Sequence, residues 1–411
     1  MARVGGRTVF GALKRGTDRP DTTAFVPRRA GELVWLHAGE IGNLLAVHDL
    51  AVRLTRARVG CNVLITLPPL EKAQTPHPPA PPPAEITQID APAEHPAAVS
   101  AFVDHWKPNV CTWVWGGLRP NLIRTAHEAG CALYLIDADR DGFERKTNRW
   151  VPDNTRRALA QFDAAFTRSA VGHRRLSQLG VPATKMRQTT PLLAGGDALG
   201  CNEREEAELS AALGGRPVWF ATHITRDEIS TVLAAHRHAS RLSHRLLLIL
   251  QPAQADITQE AAAMVADQGM TLAQWDDGAL PDEATQVLIS EDIADRGLFF
   301  RAAPLCFLGA TLHPGDAACD PLDAAALGSA VLYGPKVRHF MPSYSRLVAA
   351  GAARIVNDAD ALGAAVASLI APDHAAAMAH AGWDVISQGA TLTDSVIDRV
   401  QERLDKQRSS A

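Results

Sequence analysis

Cysteine is scarce in this chain, and none of it is arranged for chemistry. The six cysteines (Cys61, Cys111, Cys131, Cys201, Cys306 and Cys319) form no CxxC pair and have no histidine at ligand spacing. That excludes a zinc ribbon and a dithiol centre, and it fits a reducing compartment rather than a disulfide framework. An excess of one charge is missing too. Lys and Arg number 41 against 45 Asp and Glu, for a net charge of −4, so the electrostatic footprint of a nucleic-acid binder is absent. No apolar run approaches bilayer length. The most apolar stretch, Leu246–Leu250, has the length of one buried strand. No secretory signal is legible, because the first thirty residues carry Arg3, Arg7, Lys14, Arg15, Arg19, Arg28 and Arg29 with no apolar segment behind them. There is also no internal sequence repeat.

What is present is alternation. At 411 residues the chain is too long for a single core, so two domains are expected. Short apolar strand-like runs and helical patterns follow one another from residue 34 to residue 355. Such alternation specifies α/β architecture, with parallel sheets covered on both faces. The rhythm lapses over residues 188–216, where the domain linker is placed. The expected division is a basic arm over 1–30, a Rossmann-like domain over 31–195, a second over 196–385, and a C-terminal helix over 386–411 crossing back to the first. The arm reads either as a solvated tail or as a peripheral foot on anionic lipid. Prolines crowd residues 68–84 and forbid regular structure there, giving a polyproline-like surface loop.

Two segments nearly three hundred residues apart carry the candidate chemistry. Residues 33–43 read LVWLHAGEIGN, and residues 307–335 read FLGATLHPGDAACDPLDAAALGSAVLYGP. Each is a strand that breaks into a glycine-bearing loop and re-enters a helix, the unit that presents backbone N–H groups to an anion.

The order and spacing of these and other segments resemble the Kdo (3-deoxy-D-manno-octulosonic acid) transferases, GT-B glycosyltransferases of lipopolysaccharide assembly. The family's HAxSVGE loop is matched by His37-Ala38-Gly39-Glu40-Ile41-Gly42-Asn43. Its PVWLAAST, LLLILVPRHPER, ELGLFYRLAP, GGSLVPHGGHNPLEPA and GPHxxNF are matched by PVWFATHI (217–224), LLLILQPAQADI (246–257), DRGLFFRAAP (295–304), GATLHPGDAACDPLDAA (309–325) and GPKVRHF (334–340). The resemblance spans roughly residues 30–385. It implies a GT-B fold, two doubly wound Rossmann-like domains facing a central cleft, the first for the acceptor and the second for a nucleotide-sugar.

The departures are specific. The family's catalytic glutamate falls on Asn43, a neutral amide that accepts no proton from a hydroxyl. Glu40, three residues earlier, is the alternative base if burial in a closed cleft favours its protonated form. The family's ESELWPN turn reads Trp115-Gly116-Gly117-Leu118-Arg119-Pro120-Asn121, its phosphate-binding arginine falls on Ala253, and its ribose-binding glutamate on Asp323. The resemblance is therefore to a divergent paralogue, and the family's N-terminal membrane anchor has no counterpart in the basic arm.

The candidate residues follow. Glu40 and Asn43 stand at the catalytic position. Gly39, Gly42, Trp115, Arg119 and Asn121 line the acceptor side, with Trp115 offered to a sugar or acyl chain and Arg119 to an anionic acceptor. His223, Thr225, Arg226, Gln251, Thr311, His313, Gly315, Asp320 and Asp323 face the donor. Among these, Arg226 would compensate for the arginine lost at Ala253, and Asp320 and Asp323 would read the ribose hydroxyls or simply cap a helix. The carboxylates of IDADRDG (Asp137, Asp139, Asp141) lack the spacing of a calcium loop, so no metal is expected there. His236, Arg237, His238 and His244 read as a surface helix.

The function expected from this is inverting, metal-independent transfer of a Kdo-like sugar. The donor is a CMP-Kdo-like nucleotide-sugar and the acceptor a lipid A-like or other cell-envelope lipid or glycan, with no further cofactor and no nucleic acid. The expected location is the cytoplasm, with peripheral contact at the inner-membrane surface. Two alternatives stay open: a catalytically silent GT-B binding or regulatory protein, and a transferase using a UDP- or GDP-sugar.

Overall fold

The computed structural model describes residues 25–40, 44–68, 83–140, 154–196, 199–313, 319–337 and 340–410. The arm up to residue 24, most of the proline-rich segment, and the expected site residues Gly42, Asn43 and Gly315 lie outside the described residues.

The first half alternates strand and helix in the order β1 (Glu32–Ala38), α1 (Leu44–Ala57), β2 (Cys61–Leu67), β3 (Ile86–Asp90), α2 (Pro96–Trp106), β4 (Val110–Val114), α3 (Pro120–Glu128), β5 (Ala132–Ala138), α4 (Asn154–Ala160), β6 (Ala164–Thr167), α5 (Ala170–Gln178) and β7 (Met186–Gln188). The second continues with α6 (Glu203–Leu213), β8 (Val218–Ile224), α7 (Arg226–Ser240), β9 (Leu247–Pro252), α8 (Thr258–Asp267), β10 (Leu272–Gln274), β11 (Val287–Ile289), α9 (Arg296–Ala302), β12 (Leu305–Leu308), α10 (Pro321–Ala326), β13 (Ala330–Tyr333), α11 (Met341–Ala349), β14 (Ala353–Ile355), α12 (Ala359–Leu369) and α13 (Pro372–Ser410).

These strands form two seven-stranded sheets, ordered β3-β2-β1-β4-β5-β6-β7 and β10-β11-β9-β8-β12-β13-β14. Every pairing is parallel. Central strands such as β2, β5, β8 and β9 are buried along their whole length, as a parallel sheet with helices on both faces requires. Each sheet reverses direction once, between β1 and β4 and between β8 and β12. In an open α/β sheet such a switch point opens a crevice at the carboxyl ends of the strands, where ligands bind. This is the GT-B architecture, two doubly wound Rossmann-like units in one chain.

The cores follow the alternation. Trp35, Trp113 and Phe102 interlock on one side of the first sheet, with ring centroids 5.3–6.1 Å apart. Phe220, Phe299 and Phe300 do the same in the second. Cys61, Cys111, Cys131, Cys306 and Cys319 are buried free thiols among them.

The last helix is one continuous 39-residue element beginning at Pro372, where the sequence reading starts it at residue 386. Gly389 lets it pass close to the linker, where a Cβ would come to 3.3 Å from the Ala194 carbonyl oxygen. Leu392, Val396, Val400 and Leu404 recur every four residues, all at most 1% exposed, and form one stripe. The helix ends on the first domain: Asp405 pairs with Arg58 at 2.8 Å, Arg408 with Glu32 at 2.8 Å, and Asn109 donates to Gln407 at 3.2 Å. His236 differs from the reading as surface. It is fully buried and accepts a hydrogen bond from Trp219 Nε1 at 3.2 Å, because it lies on the face of α7 that covers the sheet.

Candidate functional site

At the first switch point two glycines make close packing possible. A Cβ on Gly39, just after β1, would lie 2.6 Å from the Gly116 Cα just after β4. The two loops therefore touch backbone to backbone, which no larger residue permits. Beneath them His37 is buried. Thr66 Oγ1 accepts from Trp35 Nε1 at 2.8 Å and shares a second hydrogen bond with His37 Nδ1, also at 2.8 Å. The His37 ring rests 3.9 Å from Trp113. Burial, with a smaller contribution from the Arg119 charge, pushes His37 down to about 3, so it is a neutral buttress and not a titrating base.

Glu40 follows Gly39 and is exposed, so the burial expected of it is not present in this arrangement. Its charge reaches a second group, formed by the ends of β5 and β6. Asp137 is 1% exposed and has φ +58°, a left-handed conformation that Asp tolerates better than most residues. Its Oδ1 accepts the Leu192 N–H at 3.0 Å, and its Oδ2 lies 3.6 Å from Arg168 Nη1. Arg168 also donates through Nε to Asp139 at 2.8 Å, and Ser169 Oγ donates to Asp139 at 2.5 Å. Desolvation pushes Asp137 up to about 6. The Leu192 N–H and Arg168 work against that rise, while Asp139 and Glu40 add to it. This group went unrecognised in the sequence, where IDADRDG was weighed only as a calcium loop. Its signal is a carboxylate at the next-to-last strand position with a strand-end arginine about thirty residues later.

At the second switch point Gly309 plays the part of Gly39, since a Cβ there would lie 2.5 Å from the His223 carbonyl oxygen. His223 (φ +56°) and Ala310 (φ +55°) are both left-handed. The loop after β12 is fastened from below by Glu228 on α7. Its carboxylate accepts from the backbone N–H of Ala310 (2.6 Å), Thr311 (3.1 Å) and Leu312 (2.9 Å), and from Thr225 N and Oγ1. A fully buried carboxylate is tolerable here because five donors surround it.

Several expected donor residues are consumed by this framework. Thr311 Oγ1 donates to Leu308 O and accepts from Gly334 N. Gln251 accepts from Thr222 Oγ1 at 2.8 Å and donates to Asp292 O at 2.7 Å. Both are buried and engaged, so they hold loops in place. His223 Nδ1 donates to Thr222 Oγ1 at 3.1 Å, and desolvation pushes the ring down to about 3, leaving it uncharged. Arg226 is exposed and paired with Glu260 at 2.9 Å, so it does not replace the arginine lost at Ala253. The cation beside His223 and Cys319 is instead Arg296, half-buried, donating to Cys319 Sγ at 3.4 Å and to Ile293 O at 3.1 Å. The residue pattern gave no sign of it, because it opens a helix that precedes the switch-point strand. His313 is exposed beside this loop. Asp320 caps α10, accepting from Leu322 N at 3.0 Å. Burial and the neighbouring Asp323 push its carboxyl up to about 8, Asp49 adds to the rise, and Arg346 opposes it.

On the acceptor side, Trp115 is 5% exposed and packs in the first domain's core, so its ring is not offered to a sugar. Arg119 pairs with Glu94 at 3.3 Å and donates to Pro92 O. Asn121 N donates to Glu94 at 2.6 Å. Together they brace the β3–α2 loop rather than stand open.

The Asp49 influence on Asp320 marks where the domains meet. The linker Leu192–Gly196 is held from both sides: Gly195 N donates to Asp49 at 3.1 Å, Arg53 donates to Gly196 O at 3.1 Å, and Arg346 donates to Ala194 O at 2.6 Å. Among the described residues no cluster of three or more His, Cys, Asp or Glu is arranged to hold a metal ion, and no single helix is long and apolar enough to cross a membrane.

Comparison with known proteins adds an independent finding. Residues 10–193 match the family model described as 3-deoxy-D-manno-octulosonic-acid transferase (Kdo transferase). The 3-deoxy-D-manno-octulosonic acid transferase of Bordetella pertussis is 27% identical over 318 residues, covering 75% of this chain and 72% of that protein. A probable mitochondrial enzyme of the same name from Arabidopsis thaliana is 23% identical over 324 residues, 76% and 71% of the two chains. Among solved structures, Acinetobacter baumannii MurG aligns over 91% of this chain and all of that one at 14% identity, with a TM-score of 0.47.

Proposed function

We propose, for a chain whose residues 10–193 match the Kdo transferase family model, that it transfers a Kdo-like sugar from a nucleotide-activated donor to a lipid A-like or other cell-envelope acceptor. The relationship to named transferases over three quarters of the chain is the observation that carries the reading. The two switch-point crevices give it a mechanism. Glu40, exposed on the loop after β1, takes the proton of an acceptor hydroxyl as that oxygen attacks the anomeric carbon. The bond from that carbon to the phosphate oxygen breaks, and the nucleotide leaves with the electron pair. The Arg296 guanidinium meets the charge that develops on the leaving phosphate. As the family resemblance implies, the donor is CMP-Kdo-like, the transfer inverts configuration and no metal takes part. The acceptor places the work at the cytoplasmic surface of the inner membrane.

The test has two arms. In a thermal-shift series with CMP, UDP and GDP, saturating CMP stabilises the protein by roughly 2.7 kcal/mol at a hundred times its dissociation constant, and the other two do not. With CMP-Kdo and a tetra-acylated disaccharide acceptor, Glu40→Gln lowers kcat at least ~100-fold with the melting temperature unchanged. A response to UDP or GDP alone moves the donor.

A second reading is favoured by one specific observation, the family's catalytic glutamate falling on Asn43. It is a silent binding protein. Absence of any nucleotide response, with no transfer by the wild type, selects it.

A further inference from the structure

The net charge of −4 hides a polarity. Four segments meet at the amino ends of β1, β2 and β4: residues 25–32, 56–62, 104–109 and 401–409. A Cβ on Gly31 would lie 3.0 Å from the Gly60 carbonyl oxygen. Arg58 pairs with Glu32 at 2.5 Å and with Asp405 at 2.8 Å, and Arg408 reaches the same Glu32 at 2.8 Å. Arg28 Nε donates to Trp106 O at 2.6 Å, His105 Nε2 donates to Val26 O at 3.0 Å, and Asn109 donates to Gln407 at 3.2 Å. The strap from Phe25 to Gly31, the α1–β2 turn, the end of α2 and the end of α13 therefore form one surface. Its segments hold eight Lys and Arg against four Asp and Glu. Two of those carboxylates, Glu32 and Asp405, are already covered by arginines. The sequence that enters this surface at Phe25 adds five cations against two carboxylates over residues 1–24. Surpluses of four and three in a chain of net charge −4 leave −11 on everything else. So strong an asymmetry is the electrostatic mark of an anionic partner. Among these cations two apolar side chains stand in solvent. Val59 on the α1–β2 turn is 93% exposed and Val26 on the strap is 55% exposed.

We propose that this face is the protein's attachment surface for an anionic phospholipid bilayer. A bilayer interface takes both features at once: cations meet the headgroups, and apolar tips enter just below them. Single-stranded nucleic acid would meet the cations alone, because no Phe, Tyr or Trp of these segments is exposed for a base to stack on. The proposal rests on the cell-envelope reading above for its location only, since attachment needs no turnover. The crevices open at the carboxyl ends of the strands and this face lies at their amino ends, so attachment covers neither.

The experiment sediments the full chain with vesicles of phosphatidylcholine alone, and of phosphatidylcholine with about one-third phosphatidylglycerol, at about 0.1 M and about 0.5 M salt. The wild type pellets with the anionic vesicles at the lower salt only. Arg29 and Lys107 are exposed and form no ion pair among the described residues, and asparagine suits the left-handed backbone of Lys107 (φ 43°). Arg29→Glu combined with Lys107→Asn removes three units of charge. At roughly fivefold per cation near an anionic surface, the combination weakens vesicle binding about a hundredfold, with the melting temperature unchanged. Val59→Ser weakens it about threefold, and Glu40→Gln binds like wild type. Equal binding to neutral vesicles, binding that survives the higher salt, or no binding to either vesicle overturns the proposal. So does a full chain with Arg3, Arg7, Lys14, Arg15 and Arg19 all changed to Gln that loses binding while the Arg29 and Lys107 variant keeps it. Binding to single-stranded DNA that the Arg29 and Lys107 variant abolishes, with both vesicles ignored, overturns it in favour of a nucleic acid. Anionic-vesicle binding by a protein without transfer activity supports the surface and overturns the transferase reading alone. Transfer activity without vesicle binding overturns the surface alone.

Discussion

At the scale of single residues, the molecule separates charges that serve the frame from charges that serve the cleft, and exposure alone does not sort them. Arg226 and Arg296 both sit at the first position of a helix at the cleft end of the second sheet. The first is neutralised by Glu260 on the surface, and the second faces His223 and Cys319. Asp320 shows the same division among carboxylates. In the unfolded chain its carboxyl has the ordinary value near ~4, whereas in the folded protein it is pushed up to about 8 by burial and by Asp323. Between those values the unfolded chain gives up its proton first. Folded stability therefore falls as pH rises from about 4 to about 8 and levels off above. Asp320→Asn keeps the helix cap and has no charge to bury. Differential scanning calorimetry should find its melting temperature a few degrees above wild type at pH 8 and indistinguishable from it at pH 4.

At the scale of elements, the loops that form the two crevices are held by buried polar groups that lie far away in sequence. Glu228 reaches from the first turn of α7 to three successive N–H groups more than eighty positions later. Glu228→Gln keeps one acceptor oxygen and puts an NH2 group among donors. Chemical denaturation should show a loss of about 2–4 kcal/mol, and nucleotide binding should weaken with it because residues 310–312 lose their anchor. Much at this scale was legible beforehand. Strand-length apolar runs separated by helical patterns marked β1, β2, β4, β5, β8, β9, β12 and β13. Glycine after a strand marked Gly39 and the loop after β12. Helix α6 was read only as one short helix in a lapse of pattern, because its buried contacts reduce to Leu209 and Leu213. His236 was misread because its helix looks polar along the sequence although one face lies on the sheet.

At the scale of the whole molecule, two sheets are joined by a short linker and by α13, which returns across both. The linker is held by Asp49 and Arg53 from the first domain and by Arg346 from the second. Arg346 also donates to Val385 O on α13 at 2.9 Å, so one side chain ties linker, helix and second domain together. Arg346→Ala should speed amide exchange across residues 192–196 about tenfold or more, for the loss of roughly 1.5–3 kcal/mol of charge-assisted bonding, with exchange in β4 and β8 unchanged. Protection that stays at the wild-type level would mean that Asp49 and Arg53 hold the linker without Arg346.

The amino-acid pattern by itself determined the fold class and the glycine turns at Gly39 and after β12, because buried parallel strands and strand-to-helix turns impose local constraints that each segment must satisfy alone. It could not determine which polar residues stand open in the cleft. Thr311, Gln251, Trp115, Arg119 and Asn121 have the composition of ligand-binding residues, and each is occupied by a partner or by the core. Asp137 was weighed only within a calcium loop and Arg168 and Arg296 were given no role, yet strands or helices that are neighbours only in space bring each to a crevice. Hydrogen-bond satisfaction and desolvation are properties of the assembled surroundings, so the tertiary structure alone decided them.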